Sequence, residues 1–148
     1  MKTEFLLKIP GFNVIAKQEP SNARQHGGVA MYIHSSVSFS PVDLDTPLQA
    51  IAATVHLKTR LTLCNISCPI SQPLNPNQLF SQLPRPCLLI GDFNAYSTRW
   101  GCNTTNTRGR AIESFLENSE LELLNNGAPT HPNRVQDTAI DLSLCSPN

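Results

Sequence analysis

This 148-residue chain has little net charge, few charged side chains and no long apolar run. Its 11 Lys+Arg balance 11 Asp+Glu, and charged residues make up only 15% of the total. The chain therefore lacks the dominant basic stripe that drives non-specific nucleic-acid binding, so any phosphate contact should be local. No apolar stretch approaches the roughly 20 residues that cross a bilayer, so we expect no membrane partner.

Secretion signals and disulfide patterns are also missing from the sequence. Glu4, Lys8 and Pro10 interrupt the apolar N-terminal residues, and no small-residue cleavage site follows, which predicts an intracellular protein. Five cysteines stand at irregular spacings that complete no zinc set, and we interpret them as free thiols: Cys64, Cys68, Cys87, Cys102 and Cys145. The 40% hydrophobic content argues against disorder, and the length suits one domain.

Apolar periodicity predicts a mixed α/β domain in which strands dominate. The strand-like runs are residues 29–33, 51–57, 61–66, 87–90, 121–124 and 139–144, with a short apolar stretch at 12–15. The two runs on either side of Lys58, Thr59 and Arg60 predict an antiparallel hairpin. Residues 87–90 are continuously apolar, which is typical of a strand that is buried on both faces.

Two or three helices are predicted between the strands, and two of them can be placed in the sequence. Asn75 is a good N-cap before Pro76 at the first helical position, and this short helix must end by Pro84. A second helix is predicted over residues 107–118. Its apolar face comprises Ala111, Ile112, Phe115 and Leu116.

The most distinctive local feature follows the apolar run at residues 87–90, where the sequence reads Gly91-Asp92-Phe93-Asn94. Gly91 would let the backbone turn as the strand ends. In an extended segment the side chains of Asp92 and Asn94 project to the same side. A carboxylate and an amide aimed at one cleft suit a hard cation and a phosphate oxygen. Gly, Asp and Asn are also ordinary turn residues, so a plain turn is the alternative.

Asp141 is the second candidate. Strict alternation places Ile140, Leu142 and Leu144 on one face of a strand and Asp141 and Ser143 on the other. A carboxylate in this position is either a solvated surface group or a functional one. The functional interpretation requires a histidine or a metal opposite it.

Histidine-based chemistry has little support in the residues alone. The four histidines share no metal-ligand spacing, and His131 lies in a loop where a structural role is the simpler interpretation. The chain has no G-x-S-x-G nucleophile elbow and no G-x-x-x-x-G-K phosphate loop.

Taken in order, seven short motifs carry a resemblance to a known family. They read GGVAMYI at 27–33, LLIGDFNA at 88–95, WGC at 100–102, NTRGR at 106–110, LLN at 123–125, PTH at 129–131 and AIDL at 139–142. The chain resembles the endonuclease/exonuclease/phosphatase superfamily. Within it, the chain is most similar to the apurinic-endonuclease-like domain of jockey-type non-LTR retrotransposons.

The resemblance implies a two-sheet αββα sandwich that cuts a DNA phosphodiester with Mg²⁺ (or Mn²⁺) and an activated water. Asp92 then matches the aspartate that activates or positions the water, and Asn94 matches the amide that holds a phosphate oxygen. Both would lie at the metal. Asp141 matches the aspartate that orients the catalytic histidine. DNA is the implied partner, and a reverse transcriptase domain in a parent polyprotein is a further implied association.

The sequence also departs from the family pattern. An Asn and a metal-binding Glu are expected before residue 1, and neither Glu4 nor Glu19 has a matching context. The Ser-Asp-His motif is expected beyond Asn148, and Ser67 stands where the family has Tyr. The resemblance therefore predicts that residues 1–148 form a single partial domain, truncated at both ends.

Two functional hypotheses follow. The chain is either a segment of a Mg²⁺-dependent DNA endonuclease that needs the missing ends, or a catalytically dead α/β module left from a retroelement. By analogy with enzymes that act on chromosomal DNA, a nuclear location is expected, although no basic run would serve as an import signal.

Overall fold

The architecture is a mixed α/β fold with two sheets, described here from a computed structural model over residues 7–18, 28–132 and 137–147. The strands are β1 (Phe12–Gln18), β2 (Gly28–His34), β3 (Ser38–Val42), β4 (Gln49–His56), β5 (Arg60–Ser67), β6 (Cys87–Asp92), β7 (Glu122–Leu123) and β8 (Asp141–Cys145). The helices are α1 (Pro76–Phe80), α2 (Thr107–Glu117) and a 3-10 helix, Thr98–Trp100. Neither α-helix has the length and apolar character needed to cross a membrane, as far as the described residues go.

The larger sheet has six strands in the order β3-β4-β5-β6-β8-β7, and the smaller sheet pairs β1 with β2. Only the β5–β6 pair of the described strands is parallel, because α1 lies in the connection between them. The predicted hairpin is confirmed, since β4 and β5 pair antiparallel and His56 lies opposite Arg60.

The central strand β6 differs from its prediction. Cys87 and Leu89 are buried, but Leu88 is only partly buried and Ile90 is 44% exposed. The prediction that residues 87–90 are buried on both faces is therefore wrong. The reason is that, among the described strands, the two-stranded sheet packs mainly against β4 and β5 and leaves Ile90 of β6 exposed.

Both α-helices begin at the residues where the sequence predicts them. The Asn75 side chain accepts a hydrogen bond from the backbone N–H of Gln78, and α1 starts at Pro76. The second helix starts after its own cap, Asn106. Its predicted apolar face is right for three of the four positions and wrong for Ala111, which is exposed, while Gly109 is buried instead.

Most of the core lies between the six-stranded sheet and the helices. Trp100, Phe93 and Ile112 are fully buried there together with Leu89 and Leu142. A smaller cluster lies between the two sheets and contains Ile33, Ala53 and Val55.

Other element boundaries moved by a few residues. The stretch at 12–15 extends into β1, the run at 121–124 contributes only β7, and the run at 139–144 becomes β8. The predicted alternation is confirmed, because Leu142 and Leu144 are buried while Asp141 and Ser143 are half-buried. Glu4, Glu19 and Gly27 lie outside the described residues.

Candidate functional site

The site is centred on two aspartates that face each other across neighbouring strands. Asp92 is the last residue of β6, Asp141 is the first residue of β8, and the antiparallel register places them directly opposite each other. The Cβ atoms of such opposed residues are typically about 4.5–5.5 Å apart. Both aspartates are half-buried. Neither the spacing in the sequence nor the strand patterns predicted this pairing.

The pair belongs to a polar row that crosses four strands. Ser67 is the register partner of Asp92 on one side, and Gln49 is the partner of Ser67. The row is therefore Gln49, Ser67, Asp92 and Asp141, at the end of β6. Ser67, which stands where the resembled family has Tyr, thus lies next to Asp92 in the strand register.

Asn94 reaches the site by a different geometry from the one predicted. Its φ of 47° is left-handed, so the chain leaves the extended conformation after Asp92 and the two side chains are not related by strand alternation. The backbone N–H of Asn94 donates to Asp92 Oδ1 at 2.8 Å, and its Nδ2 donates to the Cys68 carbonyl at 2.9 Å. Asn94 is nevertheless brought to Asp92, by hydrogen bonds.

Gly91 has a different role from the predicted one. A Cβ atom on Gly91 would lie 1.9 Å from the carbonyl oxygen of Ile66, and the φ of Gly91 is +151°. The glycine is needed because β5 and β6 approach closely at this point. The strand β6 continues past Gly91 to Asp92, and the left-handed residue after the strand is Asn94, so the prediction that Gly91 makes the turn is wrong.

Arg108 organises the loop beside the site. Its Nη1 donates to the carbonyls of Cys68 and Phe93 at 2.9 and 3.1 Å, and its Nη2 donates to those of Pro69 and Gln72. A guanidinium that bonds four carbonyls is committed to the fold rather than to a phosphate. Sequence analysis missed this role, because arginine pairing with backbone carbonyls has no local sequence signal.

Asn106 connects α2 to the candidate site. Its Oδ1 accepts from the backbone N–H groups of Gly109 and Tyr96 at 2.7 and 3.1 Å. Its Nδ2 donates to the Asn94 carbonyl at 3.3 Å. The signal that could have found this residue is an Asn immediately before a helical pattern.

Asn125 and Thr130 hold the strand that carries Asp141. Asn125 donates to the Asp141 carbonyl and accepts from the Ser143 N–H, both at 2.9 Å. Thr130 Oγ1 accepts from the Asp141 N–H at 3.1 Å. The backbone of Asp141 is thus fixed by two side chains from the preceding connection.

The environment raises the pKa of Asp92 above its ordinary value. Burial is the largest cause, and the like charge of Asp141 acts in the same direction. The hydrogen bond from Asn94 and the charges of His131 and Arg108 oppose the rise. His131 forms an isolated β-bridge with Thr138, which is compatible with a structural role for this histidine. The effect of His131 on the pKa of Asp92 was not predicted from the sequence.

The five cysteines are free thiols and four of them are buried. Cys68 lies next to the site, where burial raises its thiol pKa more than the nearby Arg108 lowers it. Cys64 has its pKa raised to about 12, mainly by burial. Buried thiols with a raised pKa stay protonated, and protonated thiols are poor nucleophiles and poor metal ligands. The two aspartates are therefore the better candidates for binding a cation.

A sequence profile described as endonuclease-reverse transcriptase matches residues 72–148, more than half of the chain and the part that contains both aspartates. The chain belongs to the endonuclease-reverse transcriptase family. The recognition of this family from the motif order is confirmed.

Relatives and a solved structure agree with this assignment. The chain is 26% identical over 129 residues to the "Probable RNA-directed DNA polymerase from transposon X-element" of Drosophila melanogaster, and 24% identical over 128 residues to the RNA-directed DNA polymerase from mobile element jockey of the same organism. These matches cover 83% and 82% of this chain but only 14% of each relative. The chain therefore spans a small part of those proteins.

The fold matches that of the endonuclease domain of TRAS1, a telomere-specific non-LTR retrotransposon, with a TM-score of 0.72 at 17% identity. The alignment covers 93% of this chain and 66% of the TRAS1 chain. The expected α/β fold with two sheets is confirmed by this similarity.

Proposed function

We propose that this chain contributes the core of a metal-dependent endonuclease that hydrolyses a phosphodiester bond in DNA. The observation that carries the proposal is the Asp92–Asp141 pair, with Asn94 hydrogen-bonded to Asp92, in a member of the endonuclease-reverse transcriptase family. Two carboxylates at a strand end can bind a cation, and either of them can accept or donate a proton.

The donor set fits Mg²⁺ or Mn²⁺. Asp92 and Asn94 offer carboxylate and amide oxygens, which are the ligands that hard divalent cations prefer. The like charge of Asp141 raises the pKa of Asp92, and a bound cation would relieve that repulsion. Across the described residues, no group of three or more His, Cys, Asp and Glu side chains surrounds a common point. Water and substrate oxygens would complete the coordination, as is usual for Mg²⁺.

Each residue then has a chemical role. When bound, the metal ion supplies positive charge that stabilises the developing oxyanion. Asp92 accepts the proton of the attacking water. Asn94 donates one amide hydrogen to Cys68, and we assign its second amide hydrogen to a phosphate oxygen. Asp141 orients an imidazole, as the resemblance to the superfamily implies.

A second candidate is a catalytically dead binding module. It is favoured by the two-carboxylate donor set within the described residues and by Ser67 in the place of the family's Tyr. The two candidates differ in one property, because only the nuclease requires Asp92 to bind a divalent cation.

We further propose that the chain functions as one domain of a longer protein that also contains a reverse transcriptase. The support is its match to 14% of the length of two RNA-directed DNA polymerases. Comparing nicking by the chain alone with nicking by the full reading frame tests this proposal directly.

The nuclease is tested by incubating the purified chain with supercoiled plasmid and Mg²⁺. Wild type is compared with Asp92→Asn, which keeps the shape and the hydrogen bond from Asn94, and with Asp43→Asn, an exposed aspartate outside the site. We expect nicking to be lost with EDTA and in Asp92→Asn only. Equal nicking by all three proteins would overturn the assignment of Asp92.

Metal binding is measured separately by calorimetric titration with Mn²⁺. We expect heat of binding in wild type and in Asp43→Asn, and none in Asp92→Asn. Metal binding without nicking would indicate an incomplete endonuclease, whereas a folded protein that neither binds metal nor nicks DNA would support the binding module.

A further inference from the structure

A cavity of about 820 Å³ lies at the opposite end of the six-stranded sheet from the aspartates. Pro86, which lines this cavity, immediately precedes β6, whereas Asp92 ends that strand. The two sites are therefore separated by about 20 Å along the strand. This cavity has no part in the proposed catalytic chemistry.

One wall of the cavity is a row of hydroxyl groups on the sheet. Ser40 lies opposite Thr54, which lies opposite Thr62, and the two threonine hydroxyls are 2.9 Å apart. Two residues further along β4 and β5, on the same face, Ala52 and Cys64 belong to the buried core. The helix-covered face of the sheet thus changes from apolar to hydroxyl-bearing where the cavity begins.

Two guanidinium groups and an imidazole surround this row. Arg60, Arg85 and His56 line the cavity, and the Nε2 atom of His56 is 3.0 Å from the Ser40 hydroxyl. Within the described part of the chain, none of the lining residues is an aspartate or a glutamate. Two guanidinium groups beside several hydroxyl donors form an environment suited to an oxyanion.

The ion pair of Arg85 does not prevent such a role. Its Nη1 is 3.6 Å from Glu120 Oε2, and the two side chains are 51% and 78% exposed. An exposed pair at this distance contributes little to stability, so a ligand can displace Glu120 at small cost.

The remaining wall is apolar. Pro84 and Pro86 stand on either side of Arg85 and present their rings to the cavity. The cavity volume is within the range of about 300–1,000 Å³ that small-molecule sites occupy. An anion-binding end next to an apolar wall matches a ligand with a phosphate attached to a flat organic group.

We propose that this cavity binds a nucleotide, with the phosphate held by Arg60 and Arg85 and the base or sugar against the two prolines. A hydroxyl of the row whose proton is not used within the row donates to a remaining phosphate oxygen. The nucleotide is either free or part of a single strand of nucleic acid, and both carry the same phosphate chemistry. The proposal does not rest on the nuclease activity.

The test is a titration of the isotopically labelled chain with 5′-AMP, inorganic phosphate and a 12-nucleotide single-stranded DNA, followed by NMR. Wild type is compared with Arg60→Gln/Arg85→Gln. The matched control is Arg99→Gln/Arg110→Gln, which removes two exposed charges elsewhere. Thermal unfolding of each variant shows whether its fold is retained.

We expect 5′-AMP to shift the amide signals of Arg60 and Thr62 in wild type and in the control, and its affinity to fall about tenfold or more in Arg60→Gln/Arg85→Gln. DNA that binds more tightly than 5′-AMP through the same signals would identify nucleic acid as the source, and the reverse would identify a free nucleotide. Equal affinities in both double variants, or shifts caused by inorganic phosphate alone and none by 5′-AMP, would overturn the proposal.

Discussion

Asn94 and Arg108 donate to the same carbonyl oxygen, that of Cys68, each at 2.9 Å. The carbonyl belongs to the residue that follows β5, whereas Asn94 follows β6 and Arg108 lies in the first turn of α2. Three elements that are distant in sequence therefore meet at one atom. The position of Asn94 beside Asp92 depends on this junction.

Arg108→Ala should destabilise the protein by about 2–4 kcal/mol, because it leaves partly buried carbonyls without their charged donor. The control is Arg110→Ala, which removes one exposed bond to Thr105 and should cost less than about 1 kcal/mol. Urea denaturation measures both free energies of unfolding. Equal losses of unfolding free energy in the two variants would mean that the hydrogen bonds of Arg108 to the loop carbonyls add no stability.

Gly91→Ala should cost at least about 3 kcal/mol, because the added Cβ would meet the Ile66 carbonyl in the centre of the sheet. Gly127 provides the comparison, since its φ is also positive, at +87°, but a Cβ there meets nothing within 4 Å. Gly127→Ala should therefore destabilise the protein only by the cost of placing an alanine in the left-handed backbone conformation, about 1–2 kcal/mol. Thermal or urea unfolding of the two variants distinguishes close approach from backbone strain.

Asn106→Ala should cost about 1–2 kcal/mol, since the side chain caps α2 and also bonds Tyr96 and Asn94. The cap of α1, Asn75, accepts only one 3.3 Å bond from Gln78 among the described contacts, and Asn75→Ala should cost about 0.5–1 kcal/mol. In an active protein, Asn106→Ala should also reduce nicking more than Asn75→Ala, because it releases the Asn94 backbone. A greater loss of nicking in Asn75→Ala than in Asn106→Ala would contradict the role of Asn106 in holding the Asn94 backbone.

The raised pKa of Asp92 predicts a pH-dependent stability. A carboxyl with a higher pKa in the folded state favours folding at low pH, and this contribution is lost as the pH rises through the folded pKa. Asp92→Asn should therefore gain stability relative to wild type as the pH rises above about 4, the ordinary pKa of an aspartate. Unfolding curves across this range measure the gain, with Asp43→Asn as the exposed control. Parallel pH profiles for the two variants would contradict the prediction.

Much of the fold was predictable because its signals are local. The hairpin at Lys58, the cap Asn75, the helix over residues 107–118 and the alternation around Asp141 each depend on residues that are close in sequence. The prediction for residues 87–90 failed because exposure depends on what packs against a strand. An apolar run does not show that the second sheet packs mainly against β4 and β5 and leaves Ile90 exposed.

The sequence by itself determined the family, through the order of short motifs, and it identified Asp92, Asn94 and Asp141 as the chemically interesting residues. The tertiary structure alone decided that Asp92 and Asp141 face each other, that Asn94 is left-handed and that Arg108 bonds the loop carbonyls. The physical reason is that strand register and loop closure are set by packing between distant elements, and a site is a product of that packing.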